Sequence, residues 1–359
     1  MSVITDEKSR SRLSISSSTL DDVWHADTAP GAYEWWYFDA MSEDGDEAVV
    51  IWFLDNSVFS PRYNRSLRPG QANVDERFPA LLFAYYCDGR VVYRAFSEFA
   101  GSEIDADTAS PACRIGESSF RFDSAPYGSG FEVQVRASLS RGRTLDAKFE
   151  WLSVEADLEG TSGENVNEHS WNVVATRSDV SGRINILNKR GNSIDVRHFR
   201  GTGYHDHERD ARGFADTISE KSWGRVHFAD TTAVYQVLSE VGRDAEAKLL
   251  VTRDGRLIER TVRVDEQNFA RDKFGIRYPT RITLTSDDNI RLRVKPSTIL
   301  DSSFCSVRFA SEMTLTLRDG KPRRSIGISE MIAPRTLKYR WLDWLTDMRI
   351  GKNGKGSLL

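Results

Sequence analysis

The residues best suited to chemistry lie together in a short segment of the chain. Tyr204, His205, Asp206 and His207 are consecutive in the sequence and follow a Gly-Thr-Gly tripeptide. Alternate side chains of an extended strand point to opposite faces, so Tyr204 and Asp206 should share one face and the two histidines the other. If the face with Asp206 points into an apolar interior, burial raises the pKa of its carboxyl, which suits a proton donor to an alkene.

The two histidines raise a different possibility, a metal site. His205 and His207 form a His-x-His pair, but zinc normally takes three or four ligands, so His169, His198 or Asp206 would have to complete the site. The alternative is that these histidines form hydrogen bonds with backbone or carboxylate groups at the end of a strand. We favour hydrogen bonding and predict no metal site.

A run of aromatic residues is the second unusual feature. Residues 33–40 read Tyr-Glu-Trp-Trp-Tyr-Phe-Asp-Ala, so one strand would carry rings on both of its faces, with Glu34 and Asp39 near its ends. Such a strand either fills a core or forms the wall of a site for a long apolar ligand. Core packing accounts for most of the rings, and the ligand wall remains the alternative.

Alternating patterns predict the elements that position these residues. Apolar and polar residues alternate over 131–139 and again over 144–151, on either side of a short turn, which predicts an antiparallel hairpin. The Asp-Gly pair at 88–89 favours another tight turn. Residues 334–348 are the exception, because apolar residues recur there at helical spacing after a proline. We therefore predict an all-β fold of antiparallel meanders with one short C-terminal helix.

Composition limits the possible classes of protein. Hydrophobic residues make up 39% and charged residues 28%, with a formal net charge of -4, which is ordinary for a globular protein and gives no electrostatic case for nucleic acid. The sequence has no Gly-rich phosphate loop, Gly-x-Ser-x-Gly elbow or Cys-x-x-Cys pair, so nucleotide-binding, serine-hydrolase and zinc-ribbon interpretations lack support. Three unpaired cysteines, no membrane-length apolar run and a polar N-terminus favour a cytoplasmic protein.

The length of 359 residues favours two domains. The strand pattern is interrupted at 206–216, so we place a first domain at 23–207 and a second at 208–348. We expect residues 1–22 and the basic tail at 349–359 to be disordered.

Two segments resemble a known family. Residues 30–40, followed by Asn-Ser-Val-Phe-Ser-Pro at 56–61, resemble the N-terminal signature of carotenoid 1,2-hydratases (hydroxyneurosporene synthases). Residues 203–207 resemble the second signature of a wider group, which includes AttH-type proteins and fungal lipocalin-like Diels-Alderases. The resemblance spans most of 24–235. It implies two lipocalin-like antiparallel β-barrel or sandwich domains and a small apolar substrate, a terpenoid or polyene, with no cofactor.

The resemblance also implies an active site. The residues implicated in hydratase activity form a His-x-Trp and a Tyr-x-Asp pair, which match His169/Trp171 and Tyr204/Asp206 here. Asp206 would protonate a terminal isoprenoid double bond, and water would capture the resulting tertiary carbocation. Trp171 would stabilise the cation through its ring face, Tyr204 would orient the acid, and His169 would hold or deprotonate the water.

Several other expectations follow. We predict that the substrate contacts six residues: Trp35, Trp36, Phe38, His205, His207 and Trp223. After the Tyr-x-Asp pair this chain continues His-Glu-Arg-Asp, where the hydratases have an Asn/Gly-containing turn, and the C-terminal half has no match. A Diels-Alderase-type cyclase, which requires pocket shape but no acid, and a non-catalytic carrier of an apolar metabolite therefore remain alternatives. Peripheral membrane contact is compatible with an apolar substrate, and the oligomeric state stays open.

Overall fold

The computed structural model describes residues 13–68, 76–125, 128–159, 169–253, 255–318 and 320–350, and the statements below concern these ranges. Within them the predicted fold class is confirmed, because the chain forms two large antiparallel sheets and only short helices.

The first sheet has twelve strands: β1 (Leu13–Ser16), β2 (Tyr33–Met41), β3 (Glu47–Leu54), β4 (Ala80–Cys87), β5 (Arg90–Glu98), β6 (Ile104–Ala106), β7 (Ala112–Ile115), β8 (Ser118–Ala125), β9 (Gly128–Ser138), β10 (Thr144–Ala156), β11 (His169–Leu187) and β12 (Ser193–Asp210). The second has nine: β13 (Ile218–His227), β14 (Thr231–Glu240), β15 (Glu246–Arg253), β16 (Arg256–Thr261), β17 (Arg263–Arg271), β18 (Arg277–Thr285), β19 (Arg291–Ser302), β20 (Ser306–Thr316) and β21 (Arg323–Ile332). The helices are α1 (Pro61–Ser66), α2 (Phe214–Thr217) and four 3₁₀ turns at Gly101–Glu103, Ser140–Gly142, Pro334–Lys338 and Arg340–Leu345.

The strand order is β5-β4-β3-β2-β12-β11-β10-β9-β8-β7-β6 in the first sheet, with β1 added in parallel beside β11, and β16-β15-β14-β13-β21-β20-β19-β18-β17 in the second. The predicted hairpin is β9–β10, and the Asp88-Gly89 turn has φ of 51° and 69°, as its residue types require. Long-distance pairing joins β2 to β12, which makes the aromatic strand and the Tyr-x-Asp strand direct neighbours.

Each sheet curls into a half-barrel. Phe53 of β3 and Phe120 of β8 lie far apart in the strand order, yet their ring centroids are 5.2 Å apart, so the first sheet closes around its own apolar core. A separate core joins β14 and β15 to β18 and β19 inside the second sheet.

A third core lies between the two sheets. The aromatic face of β2 that carries Trp35 and Tyr37 points away from the first half-barrel and packs on Trp223 of β13. The buried ion pair of Asp39 with Arg225 also joins β2 to β13. The outer face of the first sheet is therefore covered, which explains why all nine residues of β2 are buried.

The two chain ends differ from the predictions. Residues 13–22 are ordered rather than disordered, because β1 pairs with β11 and buries Leu13 and Ile15 completely. The alternation of apolar and polar residues in β1 covers only four residues of a Ser-rich segment, so the sequence did not indicate a strand there. The other residues of the two predicted disordered tails, 1–12 and 351–359, lie outside the described residues. The strand β12 continues to Asp210, beyond the predicted boundary, and the division into two domains stays a prediction.

The predicted C-terminal helix is present as two 3₁₀ turns instead of one continuous helix. Tyr339, between them, has extended backbone angles (φ -91°, ψ 99°) that interrupt the helix. Leu337 points into the inter-sheet core, whereas Trp341 and Trp344 are exposed. No helix in the described ranges has both the length and the apolar character needed to cross a membrane.

Candidate functional site

Both faces of β12 are buried, and they meet different surroundings. Tyr204, Asp206 and Glu208 face the second sheet, where the Tyr204 ring lies 5.4 Å from that of Trp223. His205 and His207 face the interior of the first half-barrel, where the ring centroids of His205 and Phe38 are stacked 3.8 Å apart. The alternation predicted from the sequence is correct, but the acid faces the space between the sheets and not the inside of a barrel.

A small cavity lies beside Asp206. Its walls come from both sheets: Trp35, Tyr37, Trp52, Asp206 and Glu208 from the first, and Lys221, Trp223, Glu330 and Ile332 from the second. Four of the nine wall residues are aromatic, and four others, Asp206, Glu208, Lys221 and Glu330, carry ionisable groups. This combination suits an apolar ligand that presents one reactive point to an acid.

The Asp206 carboxyl is held by two hydrogen bonds to one of its oxygens. The indole N–H of Trp171 donates to Oδ2 at 3.0 Å, and the Tyr204 hydroxyl donates to the same atom at 2.8 Å. Among the described residues, Oδ1 is buried and has no hydrogen-bond partner. Burial raises the pKa of Asp206 well above its usual range, and the negative charge of Glu208 adds to this effect.

Glu208 has the opposite electrostatic environment. Its carboxylate accepts hydrogen bonds from the Lys221 ammonium and lies 2.6 Å from Nε2 of His169. Burial alone would raise the pKa of Glu208, but the positive charge of Lys221 and the hydrogen bond with His169 outweigh it, so its pKa is lowered. One cavity thus contains a carboxyl group that favours its protonated form and a carboxylate that favours its ionised form, the arrangement that acid–base chemistry requires.

His169 lies behind Glu208. Its Nδ1 is 3.0 Å from the Tyr33 hydroxyl and 3.8 Å from Oδ2 of Asp210. Burial would lower the pKa of His169, but the neighbouring carboxylates of Asp210 and Glu208 outweigh that effect and raise it. The four residues that match the hydratase pairs therefore belong to one network, in which Trp171 and Tyr204 contact Asp206 directly and His169 connects to the cavity through Glu208.

Glu208 and Lys221 are site residues that sequence reasoning missed. A signal for Glu208 exists, because the same alternation that pairs Tyr204 with Asp206 also places Glu208 on their face. Lys221 lies on another sheet, and no local pattern connects it to β12.

The six predicted substrate contacts divide between two places. Trp35 and Trp223 line the cavity. Trp36, Phe38, His205 and His207 do not, because they belong to the opposite faces of β2 and β12 and pack inside the first half-barrel. These four residues lie away from the cavity because a change of one position along a strand moves the side chain to the other side of the sheet, and their contact with substrate stays a prediction.

The histidine face of β12 forms a second polar network. Asp22 lies 2.9 Å from Nε2 of His205 and 3.2 Å from Nδ1 of His207, while Glu34 lies 2.8 Å from both Nε2 of His207 and Nδ1 of His25. His25, Glu34 and His207 are the group in the described ranges whose ligand atoms, all within 4.8 Å of one another, could hold a metal. The 2.8 Å separations are those of hydrogen bonds, and the network ties the segment before β2 to β12. His169 and Asp206 lie on the other face and cannot join this group.

A second, larger cavity lies next to the first one. The two cavities share Trp52 and Glu330 as wall residues. The larger one is bounded by Phe96 of β5 and by Thr346 and Asp347, which follow the second C-terminal 3₁₀ turn. The two cavities lie side by side between the sheets, one beside Asp206 and the other beside the C-terminal segment, and we call them together the inter-sheet space.

Two known proteins are similar to the chain in sequence. Hydroxyneurosporene dehydrogenase from Chlorobaculum tepidum is 27% identical over 365 residues, which cover 97% of this chain and 94% of that protein. Acyclic carotenoid 1,2-hydratase from Thiocapsa roseopersicina is 51% identical over 41 residues, which cover 11% of this chain and 10% of that protein. These matches confirm the resemblance inferred from the two sequence segments. No protein-family model matches the chain.

Two solved structures share the fold. An AttH-type protein from Nitrosomonas europaea superposes with a TM-score of 0.59 and 16% identity, covering 88% of this chain and 95% of that one. CghA superposes with a TM-score of 0.53 and 12% identity, covering 85% of this chain and 89% of that one. At this identity the likeness concerns the fold alone, and it confirms the lipocalin-like architecture.

Proposed function

We propose that the protein is a cofactor-independent enzyme that adds water to a carbon–carbon double bond of an apolar polyene or terpenoid. The observation that carries this proposal is the pairing of Asp206 and Glu208 in one aromatic cavity, with their pKa values moved in opposite directions. The names of both relatives refer to carotenoid-related reactions, one a dehydrogenation and the other a hydration. An acid beside a base favours hydration.

The reaction begins with proton transfer from Asp206 to the double bond. Because Oδ2 already accepts two hydrogen bonds, Oδ1 is the oxygen that carries the proton. A new C–H bond forms as the π bond breaks, and a tertiary carbocation remains on the neighbouring carbon. Trp35 and Trp223, whose side chains line the cavity, stabilise this cation through their ring faces.

Water then completes the addition. The water oxygen bonds to the cationic carbon, and its released proton passes to the Glu208 carboxylate, while Asp206 is left ionised. Return of that proton to Asp206 restores the starting state, so the net change is alkene plus water to tertiary alcohol. Trp171 and Tyr204 act as positioning residues for Asp206, and His169 and Lys221 keep Glu208 ionised.

The experiment is product analysis by mass spectrometry after incubation with acyclic carotenoids such as lycopene and neurosporene. We expect a product heavier by one water, and a loss of at least about 100-fold in rate for Asp206→Asn. Asp195→Asn is the matched control, since Asp195 lies on the same strand but interacts with Tyr93 and Arg197 near the surface. The rate should fall as pH rises through the raised pKa of Asp206.

Two outcomes would contradict the proposal in different ways. Turnover that survives Asp206→Asn would favour a cyclase that relies on pocket shape. Tight binding of polyenes without any product would favour a carrier.

A further inference from the structure

The C-terminal segment exposes three large aromatic side chains. Six of the nine tryptophans are buried, but Trp341 and Trp344 are 69% and 67% exposed, and Tyr339 beside them is 53% exposed. Residues three apart in a 3₁₀ turn lie on the same side, so Trp341 and Trp344 share one face of Arg340–Leu345. We call Tyr339, Trp341 and Trp344 the C-terminal aromatic surface.

The opposite side of this segment is firmly attached. Leu337 and Met348 are buried in the inter-sheet core, and Leu342 and Leu345 pack against it. The exposed rings are therefore held on an anchored support.

Positive charge surrounds the C-terminal aromatic surface. Arg335, Lys338 and Arg340 are exposed within the same segment. Lys338 pairs with Asp216 at 2.7 Å and Arg65 of α1 with Asp343 at 3.7 Å, so Arg335 and Arg340 are the cations used in the argument below. Tryptophan and tyrosine among arginine and lysine are typical of surfaces that lie at the headgroup level of an anionic bilayer.

This surface also adjoins the cavities. Thr346 and Asp347 follow the Trp344 turn directly and form part of the wall of the larger cavity, which shares Trp52 and Glu330 with the cavity beside Asp206. Backbone hydrogen bonds between Arg349 and β5 hold the segment at that position. A bilayer in contact with the aromatic surface would thus lie next to one end of the inter-sheet space.

We propose that the C-terminal aromatic surface docks the protein on anionic lipid bilayers and that an apolar substrate passes from the bilayer into the inter-sheet space. The second clause rests on the proposed function, whereas docking itself does not. The occupant of this surface is a lipid bilayer rather than a second copy of the chain, because the surrounding cations would repel their counterparts across a two-fold contact.

Docking is tested by sedimentation with vesicles made of equal parts phosphatidylglycerol and phosphatidylcholine, compared with vesicles of phosphatidylcholine alone. The wild-type chain should bind the anionic vesicles more tightly, with a blue shift of tryptophan emission. The Trp341→Ser/Trp344→Ser variant should bind at least about tenfold more weakly. Arg335→Gln/Arg340→Gln should also weaken binding, by about fivefold or more for each charge removed.

Phe269→Ser/Phe274→Ser is the matched control, because these rings are also exposed, at 43% and 38%, but lie at β17 and the turn after it. Equal vesicle binding by the wild type and the Trp341/Trp344 variant would overturn docking. Docking would also be overturned if the wild-type chain forms a dimer that the two Trp substitutions dissociate and does not bind vesicles. Turnover of detergent-dispersed polyene, measured in parallel, separates the two proposals: its absence with docking intact contradicts only the enzymatic function.

Discussion

The buried ion pair between Lys221 of β13 and Glu208 of β12 connects the two sheets at the site, and its disruption should be costly. The side chains of both residues are only 3–4% exposed. Lys221→Met removes the cation but keeps most of the side-chain volume. Loss of one partner of a buried pair typically costs about 3–5 kcal/mol, because an uncompensated charge stays buried.

The expected value for this pair is near the lower limit of that range. His169 remains 2.6 Å from Glu208, and its raised pKa lets it supply part of the missing positive charge. We therefore expect Lys221→Met to lower the free energy of unfolding by about 3 kcal/mol. Since a folded domain has only about 5–15 kcal/mol of net stability, this loss should be readily measurable.

Urea unfolding of three variants provides the test. Lys295→Met breaks a cross-strand Lys–Glu pair whose partners are both 60% exposed, so it should cost no more than about 1 kcal/mol. Lys221→Met/Glu208→Gln should recover much of the stability lost in the single variant, because no buried charge is then left unpaired. If Lys221→Met costs no more than Lys295→Met, the inference that Glu208 is held ionised in a dry site is wrong.

Two further predictions concern the other face of β12. Burial would lower the pKa of His207, but hydrogen bonding to Asp22 and Glu34 raises it to about 9. Because the pKa in the folded state exceeds the usual value, the stabilisation by protonated His207 is complete below about pH 6.5 and is lost as pH rises through about 9, by roughly 3 kcal/mol. The free energy of unfolding should therefore change more steeply with pH in this range for the wild type than for His207→Gln, and equal slopes would contradict the prediction. Gly203→Ala should cost about 1–3 kcal/mol in chemical unfolding, because its Cβ would lie 2.5 Å from the indole nitrogen of Trp151, and a neutral result would mean that the packing there is loose.

Local patterns predicted which residues share a face of β12, but not what each face meets. Alternation separates Tyr204 and Asp206 from His205 and His207 whatever the surroundings. Which face is inside depends on the second sheet, which covers the outer face of the first and leaves β12 without a solvent-exposed side at the site. That packing involves contacts between distant parts of the chain, so periodicity alone could not reveal it. For the same reason, periodicity alone could not connect His169 and Trp171 with Tyr204 and Asp206, and these two pairs were predicted from the resemblance to a known family.

The position of the site between the sheets makes the second sheet a functional part of the proposed enzyme. Asp206 and Glu208 are two residues apart on one strand, and in isolation each would raise the pKa of the other. Lys221 and His169 break this symmetry, because both contact Glu208 and lower the pKa of that carboxyl, whereas Asp206 accepts its hydrogen bonds from the neutral Trp171 and Tyr204 side chains. The same strand of the second sheet contributes Trp223 to the cavity wall. Packing of the second sheet therefore increases a difference that His169 already creates within the first sheet, because Lys221 places its positive charge against Glu208.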